Sequence, residues 1–302
     1  MNSSNTSTTI GCSICGGALG RSLLEILQPD RFERHAGVSE VGYVRRWLEC
    51  LKCGAAINVH PDGVVDKLAS IASGYYEVDL KDSSVAEKYH QVMDLPATSS
   101  DNAMRVVRIS AFLADWHRLA GMSRSTLKVL DIGAGTGVFL SKFLSEESKF
   151  NRTWKGVAFE PDALAAAHLR TLNKFDVREE LFSQNSESQC FDLCTLNKVV
   201  EHLLSPVELI RQAATAVEPT TGALYVEVPA KETISCRPTN DNILGALHHQ
   251  LYDLSSLDAA LRAARLVPMR LERIYEPSGK ISIVGFAVKP EAVSMLQARG
   301  KK

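Results

Sequence analysis

The 302-residue chain contains no uninterrupted apolar run of about 18 residues, so no membrane-spanning helix is expected. It has no excess of charge of either sign: 34 Lys and Arg stand against 35 Asp and Glu, for a net charge of -1. That balance removes the electrostatic argument for a dedicated nucleic-acid binder. Residues 1–9 are rich in Ser, Thr and Asn and have neither the basic start nor the apolar core of a secretory signal. They read as a disordered tail on a cytoplasmic protein. No internal repeat and no sustained heptad pattern occurs, which excludes solenoids and coiled coils. What remains is 45% hydrophobic and 23% charged, the balance of a soluble globular chain rather than a disordered one. A chain of this length has room for about two domains and can bury a core without covalent staples.

The seven cysteines are an odd number in a chain without an export signal, which argues against a disulfide framework. Four of them form two C-x-x-C pairs, Cys12/Cys15 in GCSICGG and Cys50/Cys53 in ECLKCG. Each pair is followed by Gly, which lets the backbone fold beneath a metal. Two such turns supply four thiolates in a tetrahedral set, a donor set suited to Zn2+. Four cysteines leave no open coordination position, so the site is expected to be structural. His35 and His60 are reserve ligands. Two unrelated thiol pairs, or a single redox pair, are the competing readings. Cys190, Cys194 and Cys236 are spaced for no metal, and Cys194 is expected in the core.

Residues 10–63 thus read as a small zinc-ribbon-like domain and residues 64–125 as a helical linker and cap. Within the latter, 102–119 carries apolar residues at helical spacing, with Asp101 as the expected N-cap. From Leu127 short apolar runs alternate with helical patterns: LKVLDIG, GVFLSKFLSEE, WKGVAFE, PDALAAAHLRTL, a weak strand at 174–177, FDLCTLN, SPVELIRQAATAV with Ser205 as N-cap, GALYVEVP, and a helix over 255–265. This alternation predicts a doubly wound parallel sheet. VPMRLERIY and KISIVGFAV close it as an antiparallel hairpin, leaving 291–302 as a C-terminal tail.

The loop Asp131-Ile-Gly133-Ala-Gly135-Thr-Gly137 follows a strand and opens a helix, the context in which a glycine-rich loop binds a ligand. A dinucleotide loop reads G-x-G-x-x-G/A, and here Val138 occupies the third small position. The G-K-[ST] of a phosphate loop is absent. Glu160 ends the next strand, where an acid can accept both hydroxyls of a ribose. Two carboxylates with no Lys or Arg suit a cationic nucleoside better than a phosphate.

VLDIGAGTG, then FEPD, then FDLCTLNKVVEHL, in that order, resemble the class I S-adenosylmethionine-dependent methyltransferases over roughly residues 100–290. The resemblance implies a Rossmann-like α/β domain at 126–290 with a mostly parallel seven-stranded sheet and a C-terminal antiparallel hairpin. It implies that Asp131, Gly133 and Gly135 line the methionine part of S-adenosylmethionine, with Gly137, Pro161 and Asp162 completing the cofactor set. By the same token Glu160 holds the ribose, Leu181 and Phe182 lie near the adenine, and Asn197 lies beside the transferred methyl.

The layout of a four-cysteine unit, a class I domain and a histidine-bearing loop also resembles the zinc-bearing sugar-nucleotide C-methyltransferases. Their Y-H-E-H-like stretch matches Leu247-His248-His249-Gln250, with Leu and Gln replacing Tyr and the second His. Glu201-His202 resembles the end of the E-x-x-E-H motif of ubiquinone-pathway O-methyltransferases, whose carboxylates bind Mg2+. Lys198 stands at the first of those positions, which weighs against such a metal. The general-base candidates are therefore His202, His248 and His249, with a capping or solvent-exposed role as the bland alternative for each. Tyr75, Tyr76, Asn102 and Arg105 lie where related enzymes cap the donor.

The favoured function is methyl transfer to a small-molecule acceptor, a sugar, glycan precursor or secondary metabolite, with neither membrane nor nucleic acid as partner. The competing readings are an RNA or protein methyltransferase whose zinc unit grips the macromolecule, and a non-catalytic zinc-ribbon scaffold. A dehydrogenase is set back by the loop spacing.

Overall fold

A computed structural model describes residues 11–69, 75–80, 83–150, 152–183 and 190–299. The tail expected at 1–9 lies outside the described residues. The N-terminal region forms β1 (Leu19–Ile26), a short helix α1 (Arg31–His35), β2 (Arg45–Cys50) and β3 (Ala56–Val59). Four helices follow: α2 (Val64–Ala69), α3 (Tyr75–Leu80), α4 (Val85–Met93) and the long α5 (Asp101–Ala120). The alternating region gives β4 (Thr126–Ile132), α6 (Val138–Ser148), β5 (Thr153–Phe159), α7 (Ala163–Thr171), β6 (Asp176–Arg178), β7 (Leu193–Asn197), α8 (Pro206–Ala216) and β8 (Ala223–Pro229). The chain continues through α9 (Thr233–Cys236), β9 (Gln250–Leu251), α10 (Leu254–Ala263), β10 (Val267–Tyr275), β11 (Ile281–Val288) and α11 (Pro290–Arg299).

Seven strands form one sheet in the order β10-β11-β8-β7-β4-β5-β6. The five strands from β8 to β6 run parallel, and β11 is antiparallel to both of its neighbours. Every residue of β8 and β11 is buried, as expected for strands covered on both faces. Helices α8 and α10 cover one face, α10 through Leu257, Ala260 and Leu261 at i, i+3, i+4 spacing. Each of those leucines contributes roughly 1.5–3 kcal/mol by leaving water. Helices α5, α6 and α11 cover the other face through Ile109, Leu113, Phe139, Phe143 and Ala292. The strand order reverses between β4 and β7, and ligands of open α/β sheets bind at the carboxyl ends of such a pair.

The N-terminal sheet, β1-β2-β3-β9, is completed by a strand from the far end of the chain. In β9, Leu251 pairs with Ala56 and Gln250 with Ile57. Cys12, Ile14, Cys50, Cys53 and Ile57 share one core with Leu196, Val228, Tyr252 and Leu257. The Lys231 ammonium reaches the Gly54 carbonyl at 2.7 Å, Glu49 at 3.2 Å and Asp253 at 2.9 Å. Asp253 in turn caps α10. The four-cysteine unit is thus built into the αβα sandwich.

Several local expectations are corrected. Ser100 caps α5, its hydroxyl accepting from the Ala103 amide at 3.2 Å, while Asp101 accepts from Ser278. Ser205 precedes Pro206 at N1 but makes no side-chain cap bond. The weak strand lies at Asp176–Arg178, and α10 begins at Leu254 because Asp253 is the capping residue. The expected C-terminal tail is helical over Pro290–Arg299, because Ala292, Val293 and Leu296 pack on the core beneath α5. Cys194 is buried, whereas Cys190 and Cys236 are exposed. Among the described residues no helix is long and apolar enough to cross a membrane.

Candidate functional site

The crevice opens where β4, β5 and β7 end. Asp131, 1% exposed at the end of β4, accepts hydrogen bonds from Thr195 Oγ1 at 2.6 Å and Asn197 Nδ2 at 3.0 Å. Burial pushes its carboxyl up to about 7, against the pull of those two donors. Asn197 Oδ1 is buried without a protein partner. A buried acceptor in that state suits a ligand that brings a donor, such as an α-ammonium group.

The loop after β4 is held by its backbone, with the Gly133 amide donating to the Phe159 carbonyl at 2.8 Å. Gly135 has φ 56, in the left-handed region that favours glycine. A Cβ there would stand 2.7 Å from the Tyr76 hydroxyl. Gly137 is the N-cap of α6. Glu160 at the end of β5 accepts from the Gly135 amide through Oε2 at 2.7 Å and from the Asp162 amide through Oε1 at 2.9 Å. Burial raises its carboxyl above the ordinary range, opposed by those two amides. Each oxygen keeps a lone pair beyond its backbone bond, enough acceptor capacity for a vicinal diol.

The other residues expected around the cofactor divide. Asp162 caps α7 through Oδ1, accepting from Leu164 and Ala165, and receives the Tyr76 amide on Oδ2 at 3.3 Å. Its acceptor atoms are thereby committed to structure, with Pro161 between it and Glu160. Phe182 is buried edge-on to Phe159, with ring centroids 5.0 Å apart, while Leu181 is 75% exposed. Helix α3 lies over the loop: Tyr76 faces Gly135, and Tyr75 stacks on Phe32 at 5.7 Å and stands edge-on to His202 at 6.2 Å.

Arg105 and Asn102 are not free to cap a donor. The Arg105 guanidinium forks onto Glu227, Nε to Oε2 at 2.8 Å and Nη2 to Oε1 at 2.5 Å, and Nη1 donates to Asn102 Oδ1. Lys198, at φ 59, reaches Glu276 at 3.1 Å and Glu227 at 3.6 Å and donates to Ser282. These cations hold the fully buried Glu227 well below the usual carboxylate range, despite the desolvation that opposes them.

Past β7 the turn Val200–His202 brings Glu201 and His202 together, and the loop before β9 brings His248. One carboxylate oxygen of Glu201 and one nitrogen of each imidazole all lie within 4.8 Å of one another. The two rings are 4.5 Å apart. Burial lowers His202 and His249 to about 4 and drives His248 well down, so all three are neutral at pH 7. Burial pushes Glu201 up to about 8.

Three anchors hold this cluster. Asn58 in β3 donates its amide nitrogen to the His248 carbonyl at 2.8 Å and its backbone N–H to the His249 carbonyl at 2.9 Å. The His249 amide donates to the Glu201 carbonyl at 2.7 Å. Gln250 donates to the Val200 and Leu203 carbonyls and accepts from Ser13 beside the first thiol pair. Only the substitution of Gln for His in the 247–252 stretch hinted at its role.

In the four-cysteine unit Cys12 and Cys53 Sγ are 3.6 Å apart, Cys15 and Cys50 Sγ 3.5 Å, and all four lie within 4.8 Å of one another. A tetrahedral zinc with bonds of about 2.3 Å requires sulfur separations of about 3.8 Å, so the residues fit the ion. The Lys52 and Cys53 amides point at Cys50 Sγ from 3.4 and 3.5 Å. His35 is exposed, and His60 is directed to Glu33 at 3.6 Å and lies 5.7 Å from the His249 ring, so neither reserve ligand joins the thiols.

Residues 106–268 match a family model described as a methyltransferase domain. The chain belongs to this methyltransferase family, a Rossmann-like fold with a mostly parallel sheet. Over 95 residues it is 30% identical to a ubiquinone biosynthesis O-methyltransferase of Yersinia enterocolitica, a match covering 30% of this chain and 38% of that relative. Among solved structures it resembles 1,6-didemethyltoxoflavin-N1-methyltransferase of Burkholderia thailandensis with S-adenosylhomocysteine bound: TM-score 0.50, 16% identity, 79% of this chain and 96% of that one. It also resembles magnesium protoporphyrin IX methyltransferase of Synechocystis with bound S-adenosylhomocysteine: TM-score 0.50, 12% identity, 73% and 99% coverage. At these identities the two structures speak for the fold.

Proposed function

We propose that the chain transfers a methyl group from S-adenosylmethionine to a small-molecule acceptor, a sugar, glycan precursor or secondary metabolite bearing an ionisable hydroxyl or comparable nucleophile. The observation that carries the reading is Glu160. Its two oxygens are fixed by backbone amides of the glycine loop and the next helix, at the sheet's switch point. It is a preset diol acceptor, and among the described residues no cation is ion-paired with it or shifts its carboxyl. Asp131 and Asn197 supply acceptors for the methionine end, and Phe182 an apolar wall. The Yersinia relative, similar over 95 residues, is named for ubiquinone biosynthesis, whose product is a small molecule, and that supports the acceptor class.

S-adenosylmethionine supplies an electrophilic methyl on a sulfonium centre. The protein's task is to align the acceptor with it and exclude water. Helix α3 supplies the cover, with Tyr76 over Gly135 and Tyr75 toward His202. An acceptor hydroxyl loses its proton as it attacks, and a neutral imidazole is the group able to take it. His202, His248 and His249 are all held neutral by burial. The four thiolates hold a structural Zn2+, and the sheet they anchor presents Asn58 to the histidine loop. The zinc unit thereby shapes the acceptor end.

Calorimetric titration with S-adenosylhomocysteine tests the reading. Saturable one-to-one binding is expected, and its absence in the zinc-loaded protein refutes it.

A further inference from the structure

We propose that Glu201, His202 and His248 form a second metal site, distinct from the four thiols, for one divalent first-row transition cation. As part of an acceptor pocket the site rests on the methyltransferase reading above. As a cation site it rests on its own donors.

Three observations converge on it. The three ligand atoms, one carboxylate oxygen and two ring nitrogens, already lie within 4.8 Å of one another. His202 Nδ1 sits 3.0 Å from the Leu247 carbonyl, and His248 Nδ1 sits 2.8 Å from the Ile243 carbonyl. A carbonyl only accepts, so each Nδ1 carries the hydrogen and each Nε2 keeps its lone pair. An imidazole whose second nitrogen is held by a backbone carbonyl is the usual state of a metal-ligating histidine. Finally, Glu201 is 1% exposed and its Oε2 has no hydrogen-bond partner, which leaves a buried acceptor wanting a cation or a proton.

The ligands are also tied to one another. Glu201 and His202 share one short turn that Gln250 braces through the Val200 and Leu203 carbonyls. Asn58 holds the His248 carbonyl, and the His249 amide bonds the Glu201 carbonyl. The ligand-bearing segments are thus prepositioned by bonds that need no metal.

The donor set decides the cation. Two imidazoles and one carboxylate suit Zn2+, Fe2+, Co2+, Ni2+ or Mn2+ and leave coordination positions for oxygen ligands, whereas Mg2+ prefers oxygen alone. Lys198, the residue that breaks the E-x-x-E-H pattern, does not compete. Its charge is taken up by Glu276 and Glu227, and the third ligand comes from a loop 46 residues after His202. Of the three histidines, His249 is then the one outside the metal's ligand set.

The test is metal counting on the full-length protein, stripped and reloaded with Co2+ or Zn2+, with Mg2+ as the control. Wild type is expected to hold about two equivalents of either transition ion, one bound by thiolates and one not. His248→Ala and Glu201→Gln are each expected to hold one equivalent fewer, with the cobalt–thiolate absorption unchanged as proof that the fold and the cysteine site survive. A single equivalent in wild type, all of it thiolate-bound, overturns the proposal, as does full retention of the second ion by both variants. S-adenosylhomocysteine titration of the same samples separates the two readings. Cofactor binding without a second ion leaves the methyltransferase reading standing and removes the metal site. A second ion without cofactor binding supports the metal site and removes the donor assignment.

Discussion

Replacing Glu160 tests how the crevice recognises its ligand. Each carboxylate oxygen accepts one backbone amide, from Gly135 at 2.7 Å or Asp162 at 2.9 Å, and each retains a lone pair for a ligand hydroxyl. A hydrogen bond to a charged group is worth about 1.5–3 kcal/mol net. Glu160→Gln keeps the volume but puts an amide NH2 where one oxygen accepted, so one ligand bond is lost together with the backbone amide bond to that oxygen. The expected penalty of about 1.5–3 kcal/mol corresponds to a roughly 10- to 150-fold weaker Kd for S-adenosylhomocysteine. Glu160→Ala removes both bonds, about 3–6 kcal/mol, and binding should fall by roughly 150-fold or more. Calorimetry at pH 8 measures both variants, with thermal unfolding as the check that each is folded. Affinities within about threefold of wild type for both folded variants would refute the diol assignment.

Gly135→Ala places a Cβ 2.7 Å from the Tyr76 hydroxyl at φ 56, adding to the roughly 1–2 kcal/mol cost of a left-handed non-glycine residue. Cofactor affinity should drop about tenfold or more, and adding Tyr76→Phe should restore part of it; no recovery in the double variant rules out that close approach as the cause. Arg105→Ala removes the two-pronged partner of the fully buried Glu227, leaving Lys198 and Arg108 each 3.6 Å away, and urea unfolding should report a loss of about 3 kcal/mol, a loss below about 1 kcal/mol contradicting the ion-pair account. His117, buried on α5, is lowered from 6.5 to about 4, chiefly by desolvation and then by Arg152 and Arg124. Its folded value lies below its unfolded one, so its contribution is fully present above about pH 6.5 and is lost as pH falls toward 4. The urea-stability difference between wild type and His117→Gln should shrink in that window by up to about 1.4 kcal/mol per pH unit, and a pH-independent difference would contradict the assignment.

The parts of the molecule visible in the sequence are those whose signal is local. The glycine loop, the acid that ends WKGVAFE and each C-x-x-C turn bring their key atoms together within a few residues, so spacing alone reports them. The parallel strands read as continuous apolar runs because both faces are covered. What stayed hidden depends on pairs far apart in the chain. Arg105 meets Glu227 across 122 positions, and Asn58 meets the His248 carbonyl across 190. Strand β9 is two residues long, too short for any periodicity, and exists only because β3 offers an open edge. The terminal helix carries Ala292, Val293, Met295 and Leu296, but it is only ten residues long and its stability comes from the α5 surface beneath it.

The hidden parts explain why a cysteine unit stands in front of this domain. A free N-terminal ribbon would leave the edge of β3 unpaired, a surface that proteins normally cover. Here β9 covers it, and the covering strand directly follows the loop that carries His248 and His249. Ser13, between the first two cysteines, holds the Gln250 side chain, whose amide braces the Glu201–His202 turn. Asn58, five residues after Cys53, holds the carbonyls of both loop histidines. Distortion of the thiolate cluster is therefore carried through two short routes to both halves of the histidine–carboxylate group. The cofactor end, Asp131 and Glu160 with the glycine loop, is built by β4, β5 and β7 without contribution from either route. Removal of the Zn2+ proposed for the thiols should thus disturb the histidine–carboxylate group before it weakens S-adenosylhomocysteine binding.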